Sequence, residues 1–105
     1  MDMNRILNYI EEHLEEKLTN GQLADIAGYS EYHFLQLFKA HTGETVMEYV
    51  LRKRMALARQ LLLENTWNVE TVAERCGYQD PGYFTKCFKQ YVGLTPQVWK
   101  KQNKA

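Results

Sequence analysis

The sequence predicts an all-α fold of seven helices, arranged as two helix-turn-helix subdomains joined by a long central helix. Three observations predict it. Apolar residues recur at helical spacing, as in Ile6, Leu7, Ile10 and Leu14 or Val46, Tyr49 and Val50, while strand and hairpin cues are nearly absent. Helix-capping residues punctuate the chain at short intervals. One pattern is also written twice: Ala24-x-x-x-Gly28-Tyr29 and Phe34-x-x-x-Phe38-Lys39-x-x-x-Gly43-x-Thr45 return as Ala73-x-x-x-Gly77-Tyr78 and Phe84-x-x-x-Phe88-Lys89-x-x-x-Gly93-x-Thr95. The copies are offset by 49 residues up to the tyrosine and by 50 from the phenylalanine onward. A repeat that slips by one residue only where a tight turn would sit is expected of a duplicated helix-turn-helix unit.

The first helix is expected near 4–16, where Ile6, Leu7, Ile10 and Leu14 form its apolar stripe. Thr19-x-x-Gln22 fits a capping box and opens helix 2, 20–27, which Gly28 ends because left-handed backbone is easiest for glycine. Ser30 caps helix 3, 31–41, which Gly43 closes. A second capping box, Thr45-x-x-Glu48, opens the longest helix, 46–64. Asn68 caps helix 5, 69–76, before Gly77. Asp80-Pro81 and Thr95-Pro96 put a proline at the first position of helices 6 and 7, 81–91 and 96–101, where its missing N–H costs nothing. The expected organisation is one domain over 1–105, with subdomains at about 4–42 and 68–101 and a linking helix over 45–64.

Formal net charge is zero, but the charge is unevenly placed. Residues 1–50 carry three bases against nine acids, a net −6, and residues 51–105 carry ten bases against four acids, a net +6. Such a division suits a basic face for a polyanion with Glu11, Glu12, Glu15 and Glu16 turned away from it, although a Glu-rich helix is also simply a solvated face. The central helix, at roughly 19 residues, would span about 28 Å, somewhat under the ~34 Å of one turn of B-DNA. A rod of that length can set two recognition helices into successive major grooves, so a monomer is expected to read a bipartite site.

Other classes find little support. No apolar run approaches the ~20 residues of a membrane span, and Met1 to Asn4 lacks a signal pattern, so a cytoplasmic protein without a membrane partner is expected. Cys76 and Cys87 are eleven apart, and His13, His33 and His41 fall on different elements, so neither a metal site, a cofactor nor an enzyme is expected.

The residues resemble the DNA-binding domain of the AraC/XylS transcription regulators over nearly the whole chain. The second repeat carries the resemblance most clearly, through Val72-Ala73, Cys76-Gly77-Tyr78, Tyr83-Phe84, Phe88-Lys89, Gly93, Thr95-Pro96 and Trp99-Lys100, where aromatic-Arg is commoner. The first adds Leu23-Ala24, Gly28-Tyr29-Ser30, Phe34, Phe38-Lys39 and Gly43, followed by Tyr49, Arg54, Met55, Ala58 and Leu61-Leu62. The resemblance implies double-stranded DNA binding and transcriptional control, usually activation, with RNA polymerase as a second partner. Some relatives fuse this domain to a zinc-bound, methyl-accepting cysteine, but the cysteine cluster that chemistry needs is missing here.

Phe34, Phe38, Phe84 and Phe88 recur at i, i+4 and are expected to be buried, which leaves the opposite faces of helices 3 and 6 as readers. The resemblance implies base contacts at Tyr32, Leu35 and Gln36 in the first unit and at Pro81, Gly82, Tyr83 and Lys86 in the second. Gln36 can bond bidentately to adenine, Lys86 can donate to guanine, and Leu35 offers a thymine methyl only apolar contact. Pro81 and Gly82 have no polar side chain, so the second unit is expected to position more than it specifies. Lys39 and Lys89, equivalent in the two repeats, and Lys100 are the phosphate candidates. Arg54 is expected to brace the two halves through a carboxylate or carbonyl.

An alternative function with the same fold is a protein-interaction module that binds polymerase or another regulator through the acidic half and touches DNA weakly. Met1 stands just before helix 1, so no sensing domain is expected ahead of it; an effector domain after Ala105 and a free-standing regulator both fit the tail.

Overall fold

The computed structural model describes residues 2–104 and contains, among them, seven α-helices and no strand. They are α1 (Met3–Glu12), α2 (Asn20–Ala27), α3 (Glu31–Thr42), α4 (Val46–Leu63), α5 (Val69–Arg75), α6 (Pro81–Val92) and α7 (Pro96–Asn103). Side-chain caps set most starts. Asp2, Thr19, Ser30, Asn68, Asp80 and Thr95 each accept a backbone N–H from the first turn of the helix they precede. At α4 the capping box is reciprocal: Glu48 donates its N–H to the Thr45 hydroxyl at 3.1 Å, and Thr45 donates its own to the Glu48 carboxylate at 2.9 Å. Those bonds, the backbone one foremost, hold the Glu48 carboxyl below its ordinary range.

Two ends differ from expectation by more than one residue. α1 stops at Glu12, four residues before the expected 16. Its periodicity continues through Leu14, which stays in the core, but Glu11, Glu12, Glu15 and Glu16 crowd the end where the helix dipole is negative. The chain turns there instead. His13 donates its backbone N–H to the Ile10 carbonyl at 3.1 Å, and its ring stacks on Tyr9 with centroids 3.9 Å apart. α7 runs on to Asn103, two residues past the expected 101, with Lys100 and Lys101 in its last turn, where the dipole favours cations. After α4, Asn65 takes the left-handed backbone (φ 63°) that glycine supplies elsewhere.

The chain divides into two compact units, Met1–Lys53 and Arg54–Ala105. The helix expected to link the subdomains therefore also helps to complete both, with residues up to Lys53 in one unit and those from Arg54 in the other. In the first unit Ile6, Ile10, Leu23, Ala24, Phe34, Phe38, Val46 and Tyr49 are buried. The second buries Met55, Ala58, Leu62, Val72, Ala73, Cys76, Phe84 and Phe88. The repeat persists in three dimensions. Phe34 and Phe38 lie 5.8 Å apart between ring centroids, as do Phe84 and Phe88. Phe38 meets Tyr49 edge-on at 5.5 Å, and fifty residues later Phe88 meets Trp99 edge-on at 6.1 Å. The first turns of α4 thus serve α3 as α7 serves α6.

The helix-turn-helix turns share one bond pattern. Gly28 donates to Asp25 and Tyr29 to Ala24; Gly77 donates to Glu74 and Tyr78 to Ala73. The second bond of each pair is the long closure of a Schellman motif, with a left-handed glycine (φ 80° and 89°) at its bend. Ser30 follows Tyr29 directly as the cap of α3, whereas Gln79 stands between Tyr78 and the Asp80 cap of α6. Gln79 is the extra residue behind the change of offset from 49 to 50.

Cys76 is fully buried and Cys87 half-buried. Burial pushes the Cys76 thiol from its ordinary value of 9.0 up to about 12, against a smaller opposite pull from Arg54 and Arg75. Its contribution to stability is therefore complete below the unfolded value near 9 and is lost as pH rises from there toward about 12. At pH 8 a thiol reagent should modify Cys76 only at the rate of unfolding; rapid modification of both cysteines in the native protein would contradict the burial.

Candidate nucleic-acid interface

Two helices, α3 and α6, are built alike. Each starts at a side-chain cap, buries two phenylalanines one turn apart, and ends at a left-handed glycine, Gly43 or Gly93. At ~100° per residue, the positions nearest to opposite the phenylalanines are 32, 36 and 40 on α3 and 82, 86 and 90 on α6, with 39 and 89 about 60° to one side of that line and 33 and 83 about 60° to the other. The sequence candidates Tyr32, Gln36, Gly82 and Lys86 lie opposite, Lys39 and Lys89 lie beside them, and all six are exposed.

On α3 the candidates come together. Tyr32 is 74% exposed, and Gln36 donates its Nε2–H to the Tyr32 hydroxyl at 2.8 Å. Leu35 sits half-buried on the flank of the same face. These three and Lys39 line one concave surface of about 710 Å³ with Val46 and Met47. Met47, 80% exposed, was not among the expected site residues. Its sequence signal was a large apolar side chain beside the buried Val46, Tyr49 and Val50 stripe of α4 but outside it.

On α6 the candidates divide. Pro81 is the first helical residue and half-buried. Gly82 donates its N–H to the capping Asp80 carboxylate at 2.9 Å, and a Cβ there would come within 3.3 Å of that oxygen. The helix tip consequently offers bare backbone for close approach. Tyr83 lies about 60° from the line opposite the phenylalanines, on the side away from Lys89, with its ring 6.0 Å from that of Tyr78. It matches His33, whose ring meets Tyr29 at 5.0 Å. The 50-residue register pairs Leu35 with Thr85, half-buried on the corresponding flank, and this candidate was missed although the repeat contained it.

The basic candidates also differ. Lys39 and Lys89 each stand in the last turn of their helix, and each gives its carbonyl to the closing glycine's N–H at 2.8 Å. Lys100 lines another concave surface of the second unit, about 440 Å³, together with Trp67, Asn68, Lys101 and Lys104. Arg54 stands with its guanidinium 5.8 Å from the centre of the Tyr78 ring, inside the second unit. The first unit counts five bases against nine acids, a net −4, and the second eight against four, a net +4. Two of those nine acids are paired with α4: Glu44 with Arg52 at 2.8 Å and Glu11 with Lys53 at 3.1 Å.

Two helix-turn-helix units, each presenting a polar face on its second helix, define the class as a double helix-turn-helix domain of the kind that reads DNA. Comparison with known proteins gives the family. The profile of a family described as a helix-turn-helix domain matches residues 23–102. Over 96 residues, 91% of this chain, the sequence is 38% identical to the probable transcriptional regulator LumQ of Photobacterium leiognathi. Over 101 residues, 96% of this chain and 80% of the other, it is 30% identical to the multiple antibiotic resistance protein MarA of Escherichia coli K12. The DNA-binding domain of the global transcriptional factor AdpA, crystallised with a target DNA, superposes with a TM-score of 0.89 at 26% identity, covering 94% of this chain and 89% of that one. The chain belongs to the AraC-type helix-turn-helix family of DNA-binding transcription regulators. It spans 39% of LumQ, and 33% of each of two other curated relatives.

Proposed function

We propose that this domain reads a specific double-stranded DNA sequence to control transcription, with α3 and α6 entering successive major grooves and one chain occupying an asymmetric site. The duplicated face carries the reading: in each unit a helix held by two buried phenylalanines exposes side chains of recognition type on its opposite side, with a lysine at the same repeat position. The AdpA domain, bound to its target DNA, supports it through likeness of fold and sequence.

In this reading Gln36 takes an adenine edge, Leu35 a thymine methyl and Lys86 a guanine edge. Tyr32 and Tyr83 border those contacts, while Pro81 and Gly82 let the backbone of α6 approach closely. Lys39, Lys89 and Lys100 hold phosphates, and contact with RNA polymerase is the route to activation. No helix among the described residues is long and apolar enough to cross a membrane, and none of their His, Cys, Asp and Glu side chains form a cluster fit for a metal.

The test is selection of bound duplexes from a random library about 30 base pairs long, three helical turns, at near-physiological salt. An asymmetric motif with two informative patches about one turn apart is expected. A palindrome would replace the monomer by a dimer, and no enrichment would overturn the reading. Lys39→Ala and Lys89→Ala should each lower the slope of log Kobs against log salt by about 1 without changing base preference. An unchanged slope would remove that lysine from the phosphate contacts.

A further inference from the structure

Gln36 does not stand alone on the reading face. Its Nε2–H is already given to the hydroxyl of Tyr32, one turn earlier, at 2.8 Å. A glutamine amide has two N–H donors and one carbonyl oxygen. With one donor engaged, the outward edge offers a single N–H beside the oxygen. Adenine complements that edge, with N7 as acceptor and N6–H as donor. Guanine presents two acceptors, N7 and O6, and would need both N–H groups.

We propose that Tyr32 is a positioning residue that fixes the Gln36 amide for adenine and withholds the second donor that guanine requires. The inference rests on the reading of α3 as a DNA-recognition helix. In water an exposed bond between side chains one turn apart is weak. The concave surface that Tyr32, Leu35, Gln36 and Lys39 share changes this once base edges close it, because the same bond strengthens as water leaves. Holding the amide beforehand also reduces the ordering that binding must impose. The second unit has no such pair, since the register places Gly82 and Lys86 at these positions. Discrimination between purines by a fixed amide is therefore a property of the first unit.

The experiment compares the wild type, Tyr32→Phe, Gln36→Ala and the double variant on two duplexes drawn from the selected site. The duplexes differ only by A·T or G·C at the base pair whose preference Gln36→Ala changes. Phenylalanine keeps the ring and removes only the hydroxyl, so the melting temperature and the salt slope should not move. Tyr32→Phe is expected to reduce the preference for adenine over guanine about tenfold, and to have no effect when Gln36 is already alanine. If Gln36→Ala abolishes a preference that Tyr32→Phe leaves intact, Gln36 reads the base without help and the positioning role is overturned while the reading of α3 stands. An equal effect of Tyr32→Phe with and without Gln36 would make Tyr32 an independent contact, which also overturns it. If Gln36→Ala changes no base preference, both the inference and the assignment of Gln36 fail.

Discussion

Phe88→Ala is expected to destabilise the second unit by about 3 to 5 kcal/mol, the cost of losing a buried aromatic ring and leaving a cavity. Phe88 is fully buried, with the Phe84 ring at 5.8 Å and the Trp99 ring edge-on at 6.1 Å, so its removal strips contacts from α6 and α7 together. A domain of this size has only about 5 to 15 kcal/mol in total. Urea titration should therefore show the midpoint falling sharply, or the second unit unfolding ahead of the first, with a melting shift of at least about 10 °C. An unchanged midpoint would show that Phe88 is not packed as described. Phe38→Ala, the same position in the other repeat, offers the internal comparison through its contacts with Phe34 and Tyr49.

Gln36→Ala is expected to leave folding intact and to cost about 1 to 3 kcal/mol of binding at one base pair, the loss of one bidentate pairing. The side chain is exposed and its bonded neighbour Tyr32 is exposed as well, so the melting curve should not shift. Binding profiles over single-base variants of the selected site should flatten at one position. Equal loss on every sequence would instead assign Gln36 to the backbone and would leave the first unit without its amide reader.

Caps and stripes were legible in the sequence because their causes are local. Ser30, Asn68, Asp80 and Thr95 start helices by bonding amides two or three residues away, and a four-residue spacing of phenylalanines identifies a buried side whatever surrounds it. The end of α1 was not legible from periodicity, since Leu14 continues the stripe while the glutamates oppose the helix. Asn65 was missed as a stop because glycine is the commoner left-handed residue. The candidate site was legible by faces but not by partners. Whether Tyr83 lies opposite the phenylalanines or beside Tyr78 depends on an angle of a few tens of degrees, and the Tyr32–Gln36 bond depends on rotamers that no spacing encodes. The pairing of Thr85 with Leu35 was available, but only through the offset that holds after the turn.

The extra Gln79 marks a seam. On one side the tyrosine amide completes the closure of the preceding helix, and on the other the cap opens the next, so the repeat absorbs a residue here while both flanking patterns survive. Elsewhere in the repeat an added residue would rotate a phenylalanine off its face by about 100°. Here length changes without scrambling the interior, and loop closure charges little for it. The two copies could thus drift apart in how their second helices are presented while keeping the same interior, which makes this joint the natural place to lengthen or shorten the chain when redesigning what the domain recognises.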